Sequence, residues 1–155
     1  MVSSTDDFTH LLEEAKANNR LVLLIGNGGS LVNALHLELH LQEAGIRATS
    51  ITNPAILSAR SNDYGINLMF SPSVSALGRK GDILIAISGS GKSPNILQAC
   101  KAALARGMVV IGISFTQNSP LLKLASYPLY IPSNSMAQFE DDVSTLCHLM
   151  KGEIE

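Results

Sequence analysis

The chain has 155 residues, enough for one domain with a full hydrophobic core. Hydrophobic residues make up 46% and charged residues only 15%, a lean surface that predicts burial of part of it against further subunits. A net charge of −2 and an isoelectric point near 6.1 give no electrostatic footprint for nucleic acid or an anionic membrane, so neither is expected as a partner.

The polar, acidic start MVSSTDDFTH does not read as a signal peptide. Thr5-Asp6-Asp7 can cap a helix running to about Asn18, with Phe8, Leu11, Leu12 and Ala15 on one face. RLVLLIG is a continuous apolar run and predicts a strand buried on both faces. A helix follows from about Ser30 to Glu43, closed by Gly45. IRATSIT predicts a second strand, NPAILSAR a short helix opened by Asn53 and Pro54, and SNDYG a loop. NLMFSPSVSALGR is expected to be helical but broken near Pro72. GDILIAISGSG is a third strand running into a glycine-serine loop. SPNILQACKAALARG is the clearest helix, with Ser93 as cap, Pro94 at its first position and Gly107 at its end. MVVIGISF predicts a fourth strand and SPLLKLAS a short helix. YPLYIP predicts a fifth strand whose prolines suit a sheet edge, and MAQFEDDVSTLCHLMKGEIE the last helix.

Strands alternating with helices, several of them wholly apolar, predict a single α/β domain over 1–155. Its form is a three-layer, doubly wound open sheet of about five parallel strands with helices on both faces. Cys100 and Cys147 fall in predicted helices with no zinc or redox spacing, and read as reduced core thiols of a cytoplasmic protein. No apolar run approaches the roughly 20 residues that span a bilayer.

In such sheets ligands bind beyond the carboxyl ends of the strands. Two loops there are built alike: GNGGS after the first strand and SGSGKS after the third. Glycines at 28, 29 and 89 let backbone N–H groups approach an anion, and a helix N-terminus behind each loop attracts negative charge. Ser30, Ser88, Ser90 and Ser93 add hydroxyl donors. Two such loops facing one crevice can hold a phosphate; the plainer alternative is a pair of tight turns. A nucleotide cofactor is not expected. GNGGS lacks the G-x-G-x-x-G spacing, and the glycine a P-loop needs upstream of GSGKS falls at Ala86.

GNGGS, a following histidine, ND[YF]G, GD[IV]L…ISGSGxS and GM.VIGI together resemble the sugar isomerase (SIS) domain, and within it the sedoheptulose 7-phosphate isomerase subgroup. The resemblance runs from about Leu21 to Met150. It implies that Ser88, Ser90 and Ser93 bind a sugar phosphate, that Asn27, Ser30 and Asp63 line the sugar site, and that the chain forms a homo-oligomer, a tetramer or dimer.

His36 and His40 are four apart and share a helix face just downstream of the first loop. The last helix offers Glu140, Asp141, Asp142 and His148. Imidazoles with a carboxylate can bind zinc or move protons near neutral pH, although an H-x-x-x-H on a helix is often only surface or core. The family carries a catalytic glutamate four residues after its first histidine, and a glutamine eight residues before its last. Here those positions hold His40 and Glu140, so the resemblance implies a metal set of His36, His40, Glu140 and His148. It likewise implies a catalytic set of His40 or Glu140 as base and His148 as its partner, with His36 as ligand or electrophile. The family's arginine after this helix is replaced by Ala44, and the region before the first strand is short. Isomerisation of a ketose phosphate through an enediol is the activity this set implies, because it needs a base at carbon and an acid at the oxygens. A phosphosugar-binding module without catalysis, and an isomerase acting on an unusual sugar phosphate, are the rival readings.

Overall fold

The computed structural model describes residues 4–154, Glu153 by its backbone alone, so residues 1–3 and 155 of the expected domain lie outside the described residues. The first helix, α1 (Thr5–Ala17), starts one residue earlier than its sequence suggests. Its cap is Ser4, whose hydroxyl accepts from Asp7 N–H while the Asp7 carboxylate accepts from Ser4 N–H. This reciprocal pair satisfies two backbone donors at once. Strand β1 (Leu21–Gly26), helix α2 (Gly29–Glu43) and strand β2 (Arg47–Ser50) follow, β2 being shorter than the apolar pattern IRATSIT predicts.

Helix α3 (Pro54–Tyr64) corrects a second expectation, because SNDY is its last turn and not a loop. The Asn53 side chain starts it by accepting from Ala55 and Ile56 N–H. Only Gly65, at φ +88°, ends it. A 3₁₀ turn (Ile66–Leu68) leads to α4 (Ser71–Leu77), where Pro72 sits in the first turn and opens the helix rather than breaking it. Then come β3 (Ile83–Ile87), α5 (Pro94–Ala105), β4 (Val109–Ser114), α6 (Pro120–Leu124), β5 (Tyr127–Tyr130) and α7 (Met136–Ile154).

All four strand pairings are parallel, in the order β2-β1-β3-β4-β5. The proline-bearing β5 is at the edge, as a strand short of a ladder donor must be. Alternate residues of the sheet feed two cores. On one face Val22, Leu24, Ile85 and Ile111 meet α1, α2 and α7. On the other, Leu23, Ile25, Leu84 and Val110 meet α4, α5 and α6. This is the three-layer doubly wound sheet read from the sequence. Cys100 and Cys147 are free and buried, one in each core, and burial pushes both thiols up to about 12. Among the described residues no helix is long and apolar enough to cross a membrane.

Candidate functional site

From β1 the chain winds outward to β2 on one side, and from β3 outward through β4 and β5 on the other. The reversal lies between β1 and β3, so their two C-terminal loops face each other across the crevice where open α/β sheets bind ligands. These are the two glycine-serine loops. Their crevice encloses about 140 Å³ and is lined by Asn27, Ser30, Ser88, Gly89, Ser90 and Ser93, with Ile87 behind and Met136 and Glu140 reaching in from α7. A larger hollow of about 430 Å³ lies by α6 and β5, but no imidazole or carboxylate lines it.

The loops are held by the protein's own hydrogen bonds. Asn27 and Asn95, on opposite sides of the reversal, exchange two amide hydrogen bonds of 2.9 Å each. In the second loop, Ser88 Oγ accepts from Gly91 N–H at 3.2 Å, and Ser114 and Thr116 donate to the Gly89 carbonyl at 2.8 and 3.0 Å. Gly91 has φ +63°, and a Cβ there would strike the Ser119 hydroxyl. Ser93 sits at the N-cap of α5 yet makes no capping bond with its side chain, so its hydroxyl faces the crevice uncommitted to the helix. At the first loop, a Cβ on Gly29 would run into the Glu140 carboxylate. The missing side chain is what allows the start of α7 to close on the start of α2.

Helices α2 and α7 run side by side in the same direction. Gly29 abuts Glu140, Asn33 donates to the Glu140 carbonyl and to Ser144 Oγ, and His36 meets His148. This register gathers three of the four expected metal-site residues. His36 Nε2 and His40 Nε2 are 3.0 Å apart, and ring nitrogens of His36, His40 and His148 all lie within 4.8 Å of one another. His40 is buried, His36 half-buried and His148 exposed. Burial, and then the charges of His40 and His148, hold the His36 imidazole below its usual range, which favours the neutral form with a free lone pair.

Glu140 does not join the histidines. It is eight residues ahead of His148, about 12 Å along the helix axis, and lines the crevice instead. The carboxylate that stands beside the cluster is Glu43, whose Oε2 lies 3.4 Å from His40 Nδ1 and 3.0 Å from Lys151 Nζ. Its spacing of three from His40 on one helix was the available signal. Asn95 carried none, since only the strand order sets it opposite Asn27. Asp63 is exposed on the last turn of α3, where it accepts from Asn62 at 3.1 Å, and it is not part of the crevice lining.

The three imidazoles suit a metal ion. Ligands at the usual 2.0–2.1 Å in a tetrahedron are about 3.3 Å from one another, a spacing near that of the His36–His40 pair, with the His148 nitrogen within 4.8 Å of both. Three protein donors with an exposed side leave a coordination position for a substrate or water.

A family model described as the SIS domain matches residues 4–114. The phosphoheptose isomerase of Burkholderia pseudomallei (strain 1710b) is 38% identical over 141 residues, which cover 86% of this chain and 72% of that protein. The phosphoheptose isomerase of Campylobacter jejuni subsp. jejuni serotype O:6 is 37% identical over 153 residues, 90% of this chain and 81% of the other. The solved structure of phosphoheptose isomerase GmhA from Neisseria gonorrhoeae superposes with a TM-score of 0.92 at 32% identity, covering 97% of this chain and 84% of that one.

Proposed function

The chain belongs to the SIS domain family and is a relative of the phosphoheptose isomerases, and from that premise we propose that it is an aldose–ketose isomerase of sedoheptulose 7-phosphate, forming glycero-manno-heptose 7-phosphate through an enediol. The observation that carries this reading is the crevice at the strand-order reversal, walled by two serine-glycine loops, with a histidine cluster about two turns further along α2 and α7.

In this reading Ser88, Ser90 and Ser93 take the phosphate, aided by the N-terminus of α5. Gly28, Gly29 and Gly89 keep side chains out of its way, while Asn27 and Ser30 bind sugar hydroxyls; Asp63, outside the crevice of this chain, has no part in this reading. Anchoring the phosphate fixes the reacting carbons, so binding energy gathered far from them lowers the barrier. Glu140 serves as proton carrier at the crevice and, with no metal bound, the imidazoles of His40 and His148 do so at the far end. His36, His40 and His148 would hold a zinc ion, with Glu140 outside the ligand set. When bound, the ion supplies a Lewis acid that polarises a sugar oxygen. We place the protein in the cytoplasm, in keeping with its two buried free thiols, as one domain over 1–155 assembled into a homo-oligomer.

One observation favours the rival, a phosphosugar-binding module without catalysis: His40 stands where the resemblance expects a glutamate, and Glu140 lies apart from the histidines. The two readings separate on one experiment. The full chain is incubated with sedoheptulose 7-phosphate and with smaller ketose phosphates, with and without added zinc, and products are followed by NMR. Turnover of the heptulose phosphate is expected. Binding with no turnover of any of them would overturn the heptose isomerase reading.

A further inference from the structure

The buried His40 ring has a defined partner on each side. Its Nε2 faces His36 Nε2 at 3.0 Å, and its Nδ1 faces Glu43 Oε2 at 3.4 Å. Glu43 is itself tethered. The ammonium of Lys151, from the end of α7, lies 3.0 Å from the same oxygen, so one carboxylate bridges the last turns of two helices and the imidazole between them. A carboxylate accepts hydrogen bonds and does not donate them, so Nδ1 must carry the proton for this contact to be favourable.

We propose that Glu43, anchored by Lys151, is a positioning residue that holds His40 as its Nδ1–H tautomer, leaving the Nε2 lone pair directed at the space shared with His36 and His148. A neutral imidazole has one proton for two nitrogens, and the partner of one nitrogen decides what the other can do. With Nδ1 protonated, Nε2 accepts the hydrogen bond from His36 Nε2–H across their 3.0 Å separation and, once that proton is lost, can ligate a cation. With Nε2 protonated it can do neither, and the proton would point into the cluster. Lys151, 3.0 Å from the same carboxylate oxygen, tethers Glu43 beside the ring. The role resembles the acidic residues that orient metal-bound histidines in general and raise their basicity. The importance of this tautomer for activity rests on the histidine cluster being the working end of the proposed isomerase site. The tautomer itself does not.

The test begins with metal-free, full-length protein whose histidines are labelled with 15N. Long-range proton–nitrogen correlation spectra above the imidazole titration range should show the His40 proton on Nδ1. It should stay there in Glu43→Gln, whose amide oxygen still accepts, and should shift toward Nε2 in Glu43→Ala. Lys151→Met, which frees the carboxylate but leaves its charge, should give an intermediate population. Zinc affinity, measured by competition with a chromophoric chelator, should fall about 10-fold or more in Glu43→Ala and be largely restored in Glu43→Gln. A wild-type His40 protonated on Nε2, or an Ala variant with an unchanged tautomer and zinc affinity, would overturn the proposal. Lack of isomerase turnover would leave the tautomer measurement untouched, so failure of this inference and failure of the enzymatic reading are read separately.

Discussion

His36 shows how much one residue's surroundings decide. Burial, then the neighbouring His40 and His148 charges, lower its pKa from 6.5. Between the folded and unfolded values the unfolded chain binds more protons, so stability rises with pH across that window. The contribution is fully present above about pH 6.5, the ordinary imidazole value, and is lost as pH falls through the lower folded value. Metal-stripped protein should therefore show a urea midpoint that drops on acidification below neutral. His36→Gln, which cannot titrate, should show a smaller drop, and equal slopes in the two proteins would contradict the assignment. The same environment explains why a weak sequence signal became a cluster. An H-x-x-x-H pair sets two imidazoles on one face of α2, but the third arrives from α7, 108 residues after His40.

At the scale of elements, the decisive pieces are the loops after β1 and β3 and the helix pair α2–α7. The second loop is a turn with no slack. Ser88, Ser114 and Thr116 bind its backbone, and Gly91 adopts a left-handed conformation against Ser119. Gly91→Ala should cost about 1–3 kcal/mol of stability from the backbone strain alone. It should also weaken phosphosugar binding more than that strain implies, because Ser90 and Ser93 would be displaced with the turn. Urea denaturation and equilibrium dialysis with the sugar phosphate measure the two effects, and unchanged binding would detach this loop from the phosphate. These loops were legible in the sequence because glycine and serine at such positions have few local alternatives. The helical last turn of α3 was not. Ser-Asn-Asp-Tyr has the composition of a loop, yet the Asn53 cap starts a helix that runs until Gly65. Pro72 opens α4 for a related reason: a proline breaks a helix only if the helix has already begun.

Across the whole molecule, α2 is apolar on two sides. Ala34, Leu37 and Leu41 face the sheet, while Val32 and Leu39 are 65% and 53% exposed with Leu35 between them. A stripe of this kind beside the histidines matches the lean charge content of the chain and supports the proposed homo-oligomer. Light scattering with size exclusion should give a mass above one chain for the wild type. The double variant Val32→Glu, Leu39→Glu should shift it toward the monomer with its circular dichroism unchanged. A monomeric wild type would remove the oligomer from the proposal.

Whatever depends on neighbours along the chain is written in the order of its residues. Apolar runs became parallel strands, serine-glycine turns followed two of them, and the spacing of four between His36 and His40 put both on one helix face. Which of these meet is a matter of long-range packing. The order β2-β1-β3-β4-β5 brought the two loops together, and the Asn27–Asn95 pair locked them. The register of α2 against α7 sent Glu140 to the crevice and brought His148 to the His36–His40 pair. That register is set by Leu37 and Leu41 packing in one core with Phe139, Val143 and Leu146, residues about a hundred positions away in the chain. Local periodicity shows which face of each helix is apolar. How far one helix slides along the other is decided only when the two faces close on each other.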